Sequence, residues 1–122
     1  MSREVVDRLY STYTYRFLAE GVTWRDLEDL RPRIKDVSQW APEWSELARA
    51  AETRAERALE AGLRVTAGAE LARASLYYFF AQFLLFDDPA TKHRAYEQCV
   101  RTFAAAAPHF DPPFERFEIR YG

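Results

Sequence analysis

Residues 74–86 read ASLYYFFAQFLLF, thirteen consecutive positions without a formal charge in a chain whose charged residues make up 30% of the whole. This stretch has to be shielded from water. It is too short to span a bilayer, which takes about 20 residues, so it reads as a helix that is apolar on every side and surrounded by protein. The remaining segments must supply those surroundings. The 122 residues, 48% of them hydrophobic, amount to one domain with a core of useful size. Seventeen basic against nineteen acidic residues give a net charge of −2 and no general attraction to nucleic acid or to an anionic membrane. A single cysteine, Cys99, excludes a disulfide framework and a cysteine-rich metal site. The N-terminus, MSREVVDRLYSTYTYR, is charged from its third residue and has no apolar h-region, so no signal peptide and a cytoplasmic location are expected.

The other helices follow from periodicity and punctuation. Val5, Val6, Leu9, Tyr13, Phe17 and Leu18 recur near helical spacing over residues 4–20, with Gly21 as a C-terminal stop. Thr23 followed by Asp26 marks the start of a short helix, Trp24 to Leu30, limited by Pro32. Residues 31–40 read as irregular. A long helix, Ala41 to Ala61, carries Trp44, Leu47, Ala48, Ala51, Ala55, Ala58 and Leu59 as one stripe, whose alanines imply close approach to a neighbour, and Gly62 ends it. The apolar helix is expected from Thr66 to Phe86, broken by Asp87-Asp88-Pro89. A last helix, Ala90 to Ala107, has Tyr96, Val100, Phe103 and Ala104 along one face and stops at Pro108. After the stiff Asp111-Pro-Pro113, the residues Phe117, Ile119 and Tyr121 alternate with Arg116, Glu118 and Arg120, the pattern of a half-buried strand. No other strong strand candidate exists, and a lone strand is unstable. The partner strand is therefore expected on another molecule or in polypeptide beyond Gly122. The fold class is mainly α. It is an antiparallel bundle of three longer helices with one or two short N-terminal ones and a single C-terminal strand lacking a sheet. Residues 1–110 form the helical domain, 111–113 a linker and 114–122 the first strand of a β-containing domain.

No nucleophile elbow, phosphate-binding loop or dinucleotide motif is present. Ser75 lies within a helical pattern and reads as a small packing residue. His93 pairs with Glu97 at i+4 as a surface contact, and His109 follows the last helix as a partner of its dipole. Asp87 and Asp88 terminate a helix and do not converge as an acid–base pair. No residue set calls for a metal or a cofactor. The aromatic helix is the strongest chemical feature. Its residues read either as core or as the wall of an apolar pocket, with Tyr77, Tyr78 and Gln82 as polar groups needing partners and Arg73 as a charge at the rim. Trp40 and Trp44, four apart, staple the helix start to the core if buried and mark a partner surface if exposed.

The order of these features resembles the N-terminal helical segment of α/β-hydrolases of the 2,6-dihydroxypseudooxynicotine hydrolase type and their relatives among bacterial esterases and polyketide-cleaving hydrolases. The matching residues are Trp40-x3-Trp44, the alanine-rich helix, Ala69-Glu-Leu-Ala-Arg-Ala-Ser-Leu-Tyr-Tyr78, Ala81-Gln-Phe-Leu84, Lys92-x3-Tyr96, Phe103 and Phe117-Glu-Ile-Arg-Tyr-Gly122. They span roughly residues 8–122. The resemblance implies a helical part that packs over a hydrolase domain, helps wall the pocket for a small apolar or aromatic substrate, and contributes to homodimer contacts. It places the catalytic serine, acid and histidine in a domain downstream of this chain, so none of them has a counterpart here. By resemblance the parent protein hydrolyses esters or C–C bonds beside a carbonyl, and Tyr77, Tyr78 and Gln82 lie near its pocket. Phe117, Ile119 and Tyr121 are its expected partner-facing residues. A freestanding helical interaction module, similar to a tetratricopeptide-like helix pair, is the competing reading, though no 34-residue repeat is found. A nucleic-acid-binding regulator fits worst, because basic and acidic residues interleave on every helix.

Overall fold

The computed structural model of the protein describes residues 3–122. Among these it contains helices and no sheet: α1 (Arg3–Glu20), α2 (Trp24–Leu30), α3 (Trp40–Glu60), α4 (Arg64–Ala81) and α5 (Pro89–Ala106). Short 3-10 turns occupy Arg31–Arg33, Val37–Gln39 and Ala107–His109. The first helix is 18 residues long, equal to α4 and α5, so the bundle has four long helices and one short one. The helix expected over residues 4–20 and the short one at Trp24–Leu30 are both present, and α1 ranks with the longer helices of the bundle. The β-branched and tyrosine cluster at Tyr10–Tyr15 weakens helix propensity, but burial of Val6, Tyr10 and Phe17 outweighs it.

The ends of the helices follow local chemistry. At the close of α1, the Val22 N–H donates to the Phe17 carbonyl and the Gly21 N–H to that of Leu18, with Gly21 at φ +119°. Leu63 to Ala58 and Gly62 to Leu59 repeat the arrangement at the close of α3, with Gly62 at φ +75°. Both are Schellman closures, which need a left-handed residue that glycine supplies without strain. The Thr23 hydroxyl caps α2 by accepting the Asp26 N–H at 3.1 Å, and Asp88 caps α5 through the Thr91 N–H at 3.1 Å, with Pro89 in the first turn.

The helix α3 runs antiparallel to α4, and the contact has two halves. In one, Ala48, Ala51 and Ala55 of α3 face Ala67 and Ala74 of α4, all fully buried, so the backbones approach closely. In the other, Trp40 and Trp44 meet Tyr77 and Phe80, and the Trp40 indole N–H donates to the Phe80 carbonyl at 2.8 Å. Phe17 from α1 inserts here, edge-on to Phe80 at 4.8 Å and to Trp44 at 5.4 Å between ring centroids. Tyr77, Tyr78 and Phe80 of the aromatic run thus become core, Phe79 and Phe83 pack against it half-buried, and Phe86, expected to be shielded, is 81% exposed beyond the end of the helix.

Sequence periodicity carried α4 to Phe86, but the helix ends at Ala81. Residues 82–88 turn the chain back, with Leu84 at φ +68°. The reversal has to be completed before Asp88 and Pro89 start α5, and it takes up apolar residues that carry no breaker of their own. Helix α5 then packs on α4. The Ser75 hydroxyl donates to the Cys99 carbonyl at 2.8 Å, and a β-carbon added to Gly68 would lie 2.9 Å from the Cβ of His109.

The tail is not a strand. Residues 113–122 have no regular secondary structure, because no partner supplies a ladder. Its start is anchored. The Phe114 N–H donates to the Ala107 carbonyl at 3.0 Å, and the Phe114 ring lies 4.8 Å from that of Phe110 and 6.0 Å from that of Phe103. Among the described residues no helix is long and apolar enough to cross a membrane.

Candidate functional site

The side chains singled out from sequence fall in three different environments. Trp40 and Trp44 are 1% and 0% exposed. They lie in the aromatic core and do not form a surface, which corrects their candidacy as partner-facing residues. Tyr77 is also fully buried. Its hydroxyl donates to the Asp26 carboxylate and accepts the Thr23 N–H at 3.5 Å. Burial, reinforced by the hydrogen bond to Asp26, pushes the Tyr77 phenol above its ordinary range. The residue ties α4 to the start of α2.

Tyr78, one residue on, points toward α3 and α5. Its hydroxyl donates to Glu52 at 2.6 Å, and burial, with that bond, raises the phenol to about 12. It lines a cleft between α3 and α5 together with Arg49, Glu52, Arg94 and Arg101. Arg73 does not join it. Arg73 pairs with Glu70 at 2.7 Å, and Glu70 is also held by Arg54 of α3 at 3.0 Å. Gln82 caps the end of α4, half-buried, where its backbone carbonyl, not its side-chain amide, accepts from the Lys92 ammonium at 3.5 Å. Tyr77, Tyr78, Gln82 and Arg73 therefore do not converge on one pocket. The other candidates are structural or superficial. The Ser75 hydroxyl is engaged with Cys99, and His93 pairs with Glu97 at 2.8 Å on the surface. His109 accepts the Arg64 Nε–H at 3.4 Å. No group of three His, Cys, Asp or Glu side chains among the described residues is placed to hold a metal.

An apolar groove of about 750 Å³ lies between α5 and the start of the tail, lined by Cys99, Val100, Phe103, Ala107, Pro108 and Phe114. Val100 is 48% exposed and Phe103 45%. Farther along the tail, Phe117, Ile119 and Tyr121 are also exposed. Large exposed apolar patches on soluble domains commonly serve as contact surfaces.

No protein-family model matches the chain. Over 104 residues it is 36% identical to the 2,6-dihydropseudooxynicotine hydrolase of Paenarthrobacter nicotinovorans, an alignment that takes in 85% of this chain and 28% of that protein. The crystal structure of the 2,6-dihydroxy-pseudo-oxynicotine hydrolase superimposes with a TM-score of 0.75 at 35% identity, over 85% of this chain and 29% of that one. The chain matches one segment of a longer hydrolase. It spans less than a third of the length of either relative. Sequence reasoning had named the pattern Tyr96, Val100, Phe103 on α5 but assigned it no site. Amphipathic spacing shows that a face will be covered, not by what. Phe114 was placed in a strand, and its seat beside Phe103 and Phe110 had no local signal.

Proposed function

We propose that this chain is the helical segment that docks on the catalytic body of a serine α/β-hydrolase, seating the groove of α5 against that body and adding residues 117–121 as a strand to its sheet. The observation that carries the reading is the set of uncovered apolar residues from Val100 and Phe103 through Phe114 to Tyr121, in a chain that matches only one segment of a hydrolase. An alternating segment such as Phe117-Glu-Ile-Arg-Tyr121 gains its stability from pairing, and strand addition to an existing edge supplies it. The body provides nucleophile, base and oxyanion hole. The helical segment walls the substrate pocket and excludes water from it, for an ester or for a C–C bond beside a carbonyl, and takes part in dimer contacts. These roles are drawn from the resemblance.

The test is a graft. This chain replaces the matched segment of the P. nicotinovorans hydrolase, and hydrolysis of that enzyme's own substrate is followed. The expected result is a soluble, active chimera that loses activity when Phe103→Ser and Phe117→Ser are combined. A chimera that folds by circular dichroism and gel filtration but is indifferent to those substitutions overturns the reading. If the graft does not fold, co-purification of the separate chain with the body answers the same question, and absence of association counts against it.

A further inference from the structure

The cleft between α3 and α5 shares no lining residue with the apolar groove. Its volume is about 390 Å³, within the range of small-molecule sites. Three guanidinium groups line it, from Arg49, Arg94 and Arg101, and Glu52 is the one carboxylate among its described lining residues. Both oxygens of Glu52 are engaged, one with Arg101 at 2.6 Å and the other with the Tyr78 hydroxyl at 2.6 Å. Arg101 is further fixed by donation to Gln98 at 2.7 Å. Glu52 is paired with Arg101 and also acts electrostatically on Arg49, while Arg94 donates to a neutral hydroxyl.

Arg49 is paired with Glu46 on its own helix, and Arg94 donates to the neutral Thr91 hydroxyl at 2.8 Å, with Asp88 within electrostatic reach at the edge. A guanidinium carries five N–H donors in a rigid fork, and each of these two directs a single terminal nitrogen at a protein acceptor. The cleft therefore presents guanidinium N–H donors, those of Arg94 held by a neutral hydroxyl, over an apolar floor of Ala41 and Ala95. Arginine forks bind carboxylates and phosphates in bidentate geometry.

We propose that this cleft binds a small multivalent oxyanion, carboxylate or phosphate, gripped by Arg49 and Arg94 while Tyr78 and Glu52 hold Arg101 in place. The site is independent of the hydrolase reading, because it uses none of the groove or the tail.

The experiment titrates the full chain with citrate and, separately, with pyrophosphate. Sodium chloride at matched ionic strength serves as the screening control. Binding is read by calorimetry and by the thermal midpoint. The expected result is saturable one-to-one binding of at least one anion, absent with chloride. Arg49→Gln and Arg94→Gln should each weaken it about tenfold, and Arg57→Gln, outside the cleft, should leave it unchanged. Binding of citrate alone identifies a carboxylate ligand, and binding of pyrophosphate alone a phosphate; either supports the site. Arginine modification by phenylglyoxal reads the unaltered protein, and the bound anion should protect Arg49 and Arg94. Lack of saturable binding to both probes, affinity undiminished in a folded double variant, or lack of protection overturns the proposal.

Discussion

Replacing Phe17 with alanine tests how α1 is held. The ring is 1% exposed and stands edge-on to Phe80 and Trp44, at 4.8 Å and 5.4 Å. Truncating a buried phenylalanine costs about 3–5 kcal/mol through lost burial and the cavity left behind. Each edge-to-face contact adds about 0.5–1.5 kcal/mol to what burial gives, so Phe17→Ala belongs near the top of that range, about 4–5 kcal/mol. A domain of this size has about 5–15 kcal/mol in all. The thermal midpoint should fall by about 15 °C. The loss should also be local. Val6, Tyr10 and Phe17 are the buried residues of α1, and removing the largest contact to Phe80 should release that helix before the rest. Hydrogen exchange read by mass spectrometry should show the amides of Arg3–Glu20 exchanging about a thousandfold faster while α3 and α4 keep most of their protection. Tyr13→Ala, at a half-buried position beside Phe17, should have a much smaller effect. A cost below about 1 kcal/mol, or uniform loss of protection across all helices, would refute the reasoning.

Three further outcomes follow from the same packing. Tyr77→Phe removes the hydroxyl that donates to Asp26 and should lower stability by about 1–2 kcal/mol in urea unfolding; no change would mean that water satisfies Asp26 equally well. Burial holds Tyr78 at about 12 and raises Tyr10 and Tyr77 as well. A tyrosine with a higher pKa folded than unfolded contributes stability that is complete below its unfolded value near 10 and lost as pH rises through its folded value. The chain should therefore unfold on the alkaline side between about pH 10 and 12, with phenolate absorbance rising together with the loss of helical signal; full ionisation in a folded chain would contradict this. Gly68→Ala should destabilise by about 1–3 kcal/mol, because the new methyl meets His109 Cβ at 2.9 Å and its backbone at 3.3 Å, and an unchanged thermal midpoint would show that the corner after α5 yields freely.

What could be read from the sequence was what local chemistry determines. Thr23 with Asp26, Gly21, Gly62, and Asp88 with Pro89 mark helix ends through bonds within a few residues, and each sits at a helix end as expected. The alanine stripe of α3 was legible for a related reason, since small residues at helical spacing serve close approach. The end of α4 was not legible. Ala74 to Phe86 contains no breaker, and the reversal at Leu84 is imposed by where α5 must pack. Nor was the fate of the tyrosines. Tyr77 meets Asp26 across 51 residues and Tyr78 meets Glu52 across 26, distances at which no pattern signals a partner. Alternation at Phe117, Ile119 and Tyr121 described a capacity for pairing that the described residues do not use.

The insertion of Phe17 against Phe80 also bears on synthesis. The helix α1 leaves the ribosome with Val6, Tyr10 and Phe17 uncovered, and the surface that receives them is complete only after Phe80, 63 positions later, has been made. At about 5–20 residues per second, that interval is about 3–13 s. Helices α3 and α4, joined by a short turn at Gly62, can pair as soon as both emerge. Helix α1, made before the other four described helices, is thus among the last of the five to find its place, and its apolar edge stays uncovered during the wait.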